Sequence, residues 1–276
     1  MVIGISGKIN SGKDLVGQII QYLTSNYYKS GYEFEYFRQM NKKRNDYPGY
    51  LDWQIYKYAD KLKDIVCLLI GCTREQLEDR DFKEKELGEE WWYYVHSEMG
   101  FRELIPYSKD GYDETKYRGL ILFKPTPRIL LQQIGTELFR NLVHPNTWVN
   151  ATMVSYRPFI EGHPNLIKSN GKVLIEGQVY SMGKAVYPNW IITDCRFPNE
   201  ADAIKQKGGV VIRVNRPCKE CDLLNTHKMS CSKNVIEHES ETALDDYNFD
   251  YIIENNSTIE DLIEKVRSIL IKENIL

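Results

Sequence analysis

No apolar run in these 276 residues approaches the roughly 20 needed to cross a bilayer, so no membrane partner is expected. The start of the chain lacks a basic stretch followed by an apolar core, and no secretory signal is expected. Charge of one sign is scarce too. Thirty-six Lys and Arg stand against 39 Asp and Glu, for a formal net charge of -3, and no basic stripe is evident. A nucleic-acid partner is therefore not expected. No internal repeat is visible. What remains is a soluble, intracellular composition, 42% hydrophobic and 27% charged. It suits one large α/β domain spanning 1-276, or one domain with an inserted lid.

A reducing compartment leaves the six cysteines without an evident disulfide role. Cys67 and Cys72 flank an apolar segment and read as buried thiols, and Cys195 ends a core strand. Cys218, Cys221, His227 and Cys231 form Cys-x2-Cys-x5-His-x3-Cys. These ligand types suit a structural Zn²⁺, but the middle spacing is short. A plain polar loop with free thiols is the preferred reading, and both stay open.

What is present begins at the first residues. Val2-Ile-Gly-Ile-Ser6 is a short apolar strand, followed by Gly7-Lys-Ile-Asn-Ser-Gly-Lys13 and then Leu15, Val16, Ile19, Ile20 and Leu23 at helical spacing. A strand, Gly-x-x-x-x-Gly-Lys and a helix make up the phosphate-binding P-loop in its expected context. The glycines let backbone N–H groups converge on an anion, and the helix adds its N-terminal dipole. Lys13 supplies a mobile positive charge for the terminal phosphates. One position departs from the usual pattern: Asp14 stands where Ser or Thr normally ligates Mg²⁺. A carboxylate can serve Mg²⁺, directly or through water, but it sets negative charge beside the phosphates.

Further along, Glu33–Arg38 alternates weakly, as a strand would, and Ile55–Ile70 reads as a helix with Ala59, Leu62, Val66 and Leu69 inward. Residues 73-120 join a charge run to Trp91-Trp-Tyr-Tyr94 and are read as a lid or substrate insertion. For the aromatic cluster itself, packing is preferred over docking. Thr126-Pro127 opens a helix with Leu130, Leu131, Ile134 and Leu138 inward. Residues 156-189 form a second insertion, where Asn170-Gly171 before Lys172–Glu176 suggests a β-hairpin. Trp190–Asp194, Val210–Val214 and Tyr251–Ile253 read as core strands, Pro198–Lys207 as a helix ended by Gly208-Gly209, and Ser257-Thr-Ile-Glu260 as the capping box of the last helix. Strands alternating with helices imply a parallel sheet covered on both faces, with ligands at the strands' carboxyl ends.

A P-loop needs a partner carboxylate for Mg²⁺ at the end of a neighbouring strand. Asp194 holds that setting, with Arg196 two residues on and Glu200 a helical turn further. With these residues in view, the chain resembles the bacteriophage deoxynucleoside monophosphate kinases. In that family Asp also follows the P-loop lysine. Tyr58–Lys63, Pro127–Glu137 with Trp148-Val149, Ile192–Glu200, Val211–Pro217, His238-Glu-Ser-Glu241 and Ile253–Leu262 resemble family blocks in the same order. The resemblance covers the first 70 residues and 125-270. It is weak over 73-120 and absent over 156-189.

The resemblance implies a P-loop, nucleoside-monophosphate-kinase-like fold, and transfer of the γ-phosphoryl group of ATP to a deoxynucleoside 5′-monophosphate with Mg²⁺. It implies Gly7, Ser11, Gly12 and Lys13 on the ATP phosphates, and Asp14 and Asp194 on Mg²⁺. Arg128 and Arg196 would clamp the acceptor phosphate, with Lys63 assisting. Thr136 and Glu200 lie where a sugar or base edge could be bonded. Trp148 is either a stacking platform or a core tryptophan. Arg216 is a candidate for packing on adenine, and Arg80 for a lid arginine. The setting would be the cytoplasm, that of the host cell if the protein is viral, and a homodimer is compatible with this reading. Two alternatives stand: another P-loop kinase, with a nucleoside acceptor, and an ATP-binding module without transferase activity.

Overall fold

The computed structural model describes residues 1-43, 51-96, 105-108, 119-160, 163-167, 173-175, 178-180, 185-217 and 239-276. The chain divides into two compact units, Met1–Tyr58 with Val149–Leu276, and Ala59–Trp148.

The first unit is built on five strands, β1 (Val2–Ser6), β2 (Trp53–Tyr56), β3 (Asn189–Cys195), β4 (Val210–Asn215) and β5 (Tyr251–Glu254). They pair in the order β2-β3-β1-β4-β5, all parallel. This is an α/β sheet of P-loop, nucleoside-monophosphate-kinase-like type. Every residue of β1 is buried, as expected of a central strand covered on both faces. Helix α1 (Lys13–Thr24) buries Val16, Ile19, Ile20 and Leu23 against Ile3 and Ile5. The last helix, α3 (Ile259–Lys272), adds Leu262, Val266 and Leu270 to the same core. On the opposite face, α2 (Pro198–Gln206) buries Ala201 and Ile204. Because β1 lies between β3 and β4, its carboxyl end opens where the strand order reverses, the crevice in which such sheets bind ligands.

Several local expectations are corrected. Glu33–Arg38 is not a strand. From Phe34 on it lies in a helix, Phe34–Lys43, because Phe34 and Phe37, three apart, both bury against Tyr22 of α1 at 5.3 and 5.7 Å. The proposed helix from Ile55 is two elements, the edge strand β2 and a helix Asp60–Ile70 whose inward residues are Leu62 and Val66, while Leu69 is exposed. The last helix is capped by Thr258 rather than Ser257, its hydroxyl accepting from Asp261 N. In the 156-189 region Val173–Ile175 pairs antiparallel with Gln178–Tyr180, and Asn170-Gly171 lies outside the described residues.

The second unit holds a three-stranded antiparallel sheet, Ile105–Pro106, Tyr93–His96 and Leu120–Phe123. Trp92 packs on Tyr107 at 5.5 Å and donates to the Leu87 carbonyl, and Tyr93 packs on Phe123, so the aromatic cluster is spent on packing. Thr126 caps the helix Pro127–Gln132 by accepting from Ile129 N. That helix runs on as a π-helix, Gln133–Val143. Its i→i+5 bonding changes the phase of the inward face. Leu130 is buried as expected, but Leu138 turns outward and Thr136 and Arg140 turn in. Cys67 and Cys72 are half-buried with their sulfurs 3.7 Å apart, and Cys195 is fully buried. Among the described residues no helix is long and apolar enough to cross a membrane.

Candidate active site

β1 ends at Ser6, and the P-loop turns back over the sheet. Gly12, the N-cap of α1, has φ +99°, and a Cβ there would fall 2.5 Å from the Asn255 side-chain amide. Gly7 passes so close to β4 that a Cβ would fall 2.5 Å from the Val214 carbonyl oxygen. Only glycine fits either position without shifting the loop. The loop is clamped from outside as well. Asn255 donates to the Ser11 carbonyl (2.8 Å), Arg216 to the Asn10 carbonyl (3.4 Å), and Lys8 pairs with Asp245 (3.3 Å).

Lys13 folds over this loop, its Nζ donating to the carbonyls of Gly7 and Lys8. Burial pulls its pKa down to about 8 and Arg196 acts in the same direction, against the opposing charges of Glu241, Asp14 and Asp194. The Ser11 hydroxyl is buried and has no hydrogen-bond partner among the described residues. A buried, unpartnered hydroxyl in the loop that opens a helix is a fitting complement to phosphate.

Asp14 resolves the departure seen in the sequence. Its Oδ1 accepts from the Thr193 hydroxyl at 2.8 Å and pairs with Lys57 Nζ at 2.8 Å. Burial works to raise the Asp14 pKa, but the hydrogen bond and charge of Lys57, with Thr193 and Lys13, outweigh it and hold the carboxyl below its ordinary value. Lys57 follows β2 and Thr193 lies on β3, so the two strands deliver a cation and a hydroxyl to one P-loop carboxylate. At the tip of β3, Asp194 Oδ1 accepts from Tyr58 N at 2.8 Å. Carboxylate and hydroxyl oxygens on one strand end and one helix start form a hard-donor set suited to Mg²⁺ with water.

Arg196 is held by Glu241, with Ser240 Oγ at 3.4 Å. Glu241 also accepts from Ile9 N of the P-loop at 3.2 Å. Glu200 is 3% exposed, and its Oε2 accepts from the backbone N–H groups of Arg196 and Phe197. It fixes the turn that presents Arg196, a different task from the sugar or base contact expected of it. Beside the P-loop, Lys8, Ser11, Arg213, Asn215, Arg216 and Glu254 line a cleft of about 310 Å³.

The first unit thus brings together Lys13, Asp14, Asp194 and Arg196. Lys63, Arg80, Arg128, Thr136 and Trp148 belong to the second unit. Lys63 pairs with Glu78 at 2.6 Å, Arg128 donates from Nε to Glu84, and Arg80 is exposed at the start of the helix Arg80–Glu84. Thr136 is buried within the π-helix. Trp148 takes the core reading: it is 6% exposed, donates from Nε1 to the Gly135 carbonyl at 2.8 Å, and packs edge-on against Phe139. Cys218, Cys221, His227 and Cys231 lie outside the described residues.

The chain is similar to viral deoxynucleoside monophosphate kinases. It is 23% identical over 229 residues to "Deoxynucleoside-5'-monophosphate kinase" of Escherichia phage T5, which takes in 75% of this chain and 72% of the relative. It is 27% identical over 153 residues to "Putative deoxynucleotide monophosphate kinase" of Acanthamoeba polyphaga mimivirus. That match takes in 53% of this chain and 62% of the mimivirus protein, less than two thirds of its length. No family model matches the chain.

Reading the sequence missed Lys57, Thr193, Asp245 and Asn255, and gave Glu241 no role. Thr193, Glu241 and Asn255 lie inside blocks quoted for the resemblance, and for Thr193 and Asn255 a polar residue at a strand end was the available signal. Lys57 carried no signal: a lysine after an edge strand has no pattern of its own, and only the fold sets it against Asp14.

Proposed function

We propose that this protein is a deoxynucleoside monophosphate kinase that transfers the γ-phosphoryl group of ATP to a deoxynucleoside 5′-monophosphate. The observation that carries the reading is the P-loop cradle, with Lys13 and Ser11 in it, facing Asp194 and Arg196 at the neighbouring strand end. An ATP-binding module needs the first half of that arrangement. A phosphate-directed arginine at the tip of β3 is what a phosphoryl acceptor adds. The similarity to the phage T5 and mimivirus proteins supports the same reading.

In this mechanism the protein positions groups and compensates charge, since phosphoryl transfer asks for little covalent participation. The P-loop amides, Ser11 and Lys13 receive the β- and γ-phosphates. Asp14 and Asp194, with water, would hold Mg²⁺, which when bound neutralises charge on the transferring oxygens. Lys57 offsets the Asp14 charge that would otherwise repel nucleotide. Arg196 and Arg128 are assigned to the acceptor phosphate, which a guanidinium binds through two parallel N–H donors. Lys63 is assigned an assisting role and Arg80 that of a lid arginine, with 73-120 as the lid segment. The cleft beside Arg216 is assigned to the adenine end of ATP.

The test is ADP release with ATP and Mg²⁺, offering each deoxy- and ribonucleoside monophosphate separately beside a no-acceptor control. ADP formed only with particular deoxynucleotides is the expected result. ADP formed equally without acceptor would mean an ATPase, and nucleotide binding without ADP under any condition would mean a binding module.

A further inference from the structure

Glu241 has no part in the scheme above, yet it stands inside the phosphate cradle. Its Oε2 accepts from Ile9 N, one of the P-loop amides, while its Oε1 pairs with Arg196. Glu241 is also well sheltered, with 15% of its side chain exposed. A P-loop amide and a guanidinium are both groups that ordinarily bind phosphate oxygens. Here one carboxylate occupies both, and it sits close enough to Lys13 to oppose the lowering of that lysine's pKa. The short helix carrying it, Glu239–Thr242, is followed by Asp245, which pairs with Lys8 and Arg213. The segment is thereby seated on the loop at two points.

We propose that Glu241 is a stand-in anion: it occupies Ile9 N–H and Arg196 in the nucleotide-free protein and is displaced when phosphate enters the cradle. Arrival of the donor then releases Arg196 for the acceptor, so loading of one substrate prepares the site for the other. This inference rests on the nucleotide reading above. A structural brace would give the opposite signature, because removing a brace loosens the loop and weakens anion binding. Removing a competing anion tightens it. A hydrogen bond involving a charged group corresponds to roughly tenfold or more in affinity.

The experiment is calorimetric titration of the full chain with inorganic tripolyphosphate and, separately, with ADP, at one ionic strength and without Mg²⁺. It compares wild type, Glu241→Gln, Glu241→Ala and the exposed control Glu239→Gln. Thermal melts establish that each variant is folded. Glu241→Gln preserves shape, and Glu241→Ala removes the side chain altogether. Both are expected to bind about tenfold more tightly than wild type, with Glu239→Gln within about twofold of it. Unchanged or weaker binding in the folded Glu241 variants overturns the stand-in role and leaves the kinase reading intact. An equal gain in Glu239→Gln also overturns it, since net charge would then explain the effect. No binding of ADP by wild type would overturn the nucleotide reading, and the stand-in role with it.

Discussion

At the scale of single residues, Lys13 is held in a conflict that nucleotide would relieve. Desolvation brings its pKa down to about 8, so below that pH the ammonium persists in the empty cradle at a cost in stability, and above it the amine is mostly neutral. The unfolded chain, with an ordinary lysine, binds more protons between about pH 8 and 10.5, and stability therefore rises with pH across that window. The penalty is fully present below pH 8. Lys13→Met is accordingly expected to abolish ADP binding while leaving the melting temperature at pH 7 unchanged or higher, with any gain shrinking toward pH 10. Calorimetric titration and thermal melts across pH check both parts. In wild type, phosphate should restore the lysine's proton, so ADP affinity falls as pH rises through 8. Binding at pH 8 would take up protons, readable from titrations in buffers of different ionisation enthalpy. The Asp14–Lys57 pair makes a second case. Lys57→Met is expected to weaken metal-free ADP binding by about three- to tenfold, or ~1 kcal/mol. Lys57→Met combined with Asp14→Asn should recover most of that loss. An unaltered affinity in the single variant would remove Lys57 from the site.

At the scale of elements, what could be read from the chain followed from how much one element determines by itself. The P-loop is local: strand, turn and helix are contiguous, and Gly7 and Gly12 are needed for reasons of backbone space alone. The buried strands 190-194 and 210-214 are near-continuous apolar runs, which few elements other than a parallel strand produce. Legibility fails where a neighbour decides. Glu33–Arg38 has too few apolar residues to choose its period, and the ring of Tyr22 settles it. The helix after Thr126 starts as its cap dictates, then changes bonding pattern at Gln133, which no residue pattern announces. That change gives a contrast to measure. Leu130→Ala, at a buried position, is expected to cost about 2–5 kcal/mol. Leu142→Ala, 78% exposed, should fall within about 0.5 kcal/mol of wild type in denaturant unfolding. Two similar losses would mean that the helix keeps ordinary α phase in solution. Within the site, Lys13 was readable from the contiguous P-loop pattern, and Asp194 and Arg196 because they lie at a strand end in sequence. Lys57 was not, since nothing in its neighbours refers to residue 14.

At the scale of the whole molecule, the anion site is stitched from parts of the chain that are far apart. Ile9, Thr193, Glu241 and Asn255 are separated by up to 246 residues and are joined through hydrogen bonds at the cradle. A ligand that binds only the assembled cradle must stabilise the whole unit. ADP at 100 times its dissociation constant contributes about 2.7 kcal/mol, enough to raise Tm by about 5–10 °C. Differential scanning fluorimetry with and without ADP reads this directly. Lys13→Met should lose the increment without losing the fold.

The central strand also has a history. Val2 lies opposite Trp190, and Ile3 opposite Val210. Of the five strands β1 leaves the ribosome first, yet neither of its partners exists until nearly 190 further residues have been made. Residues 59-148 can meanwhile satisfy their own sheet and helices from contiguous chain. Long-range parallel pairing is slow to form and leaves apolar strands exposed while it waits. Synthesis thus carries Val-Ile-Gly-Ile-Ser unpaired through most of its course, and a chain broken off before residue 190 would present that strand to its neighbours as an open edge.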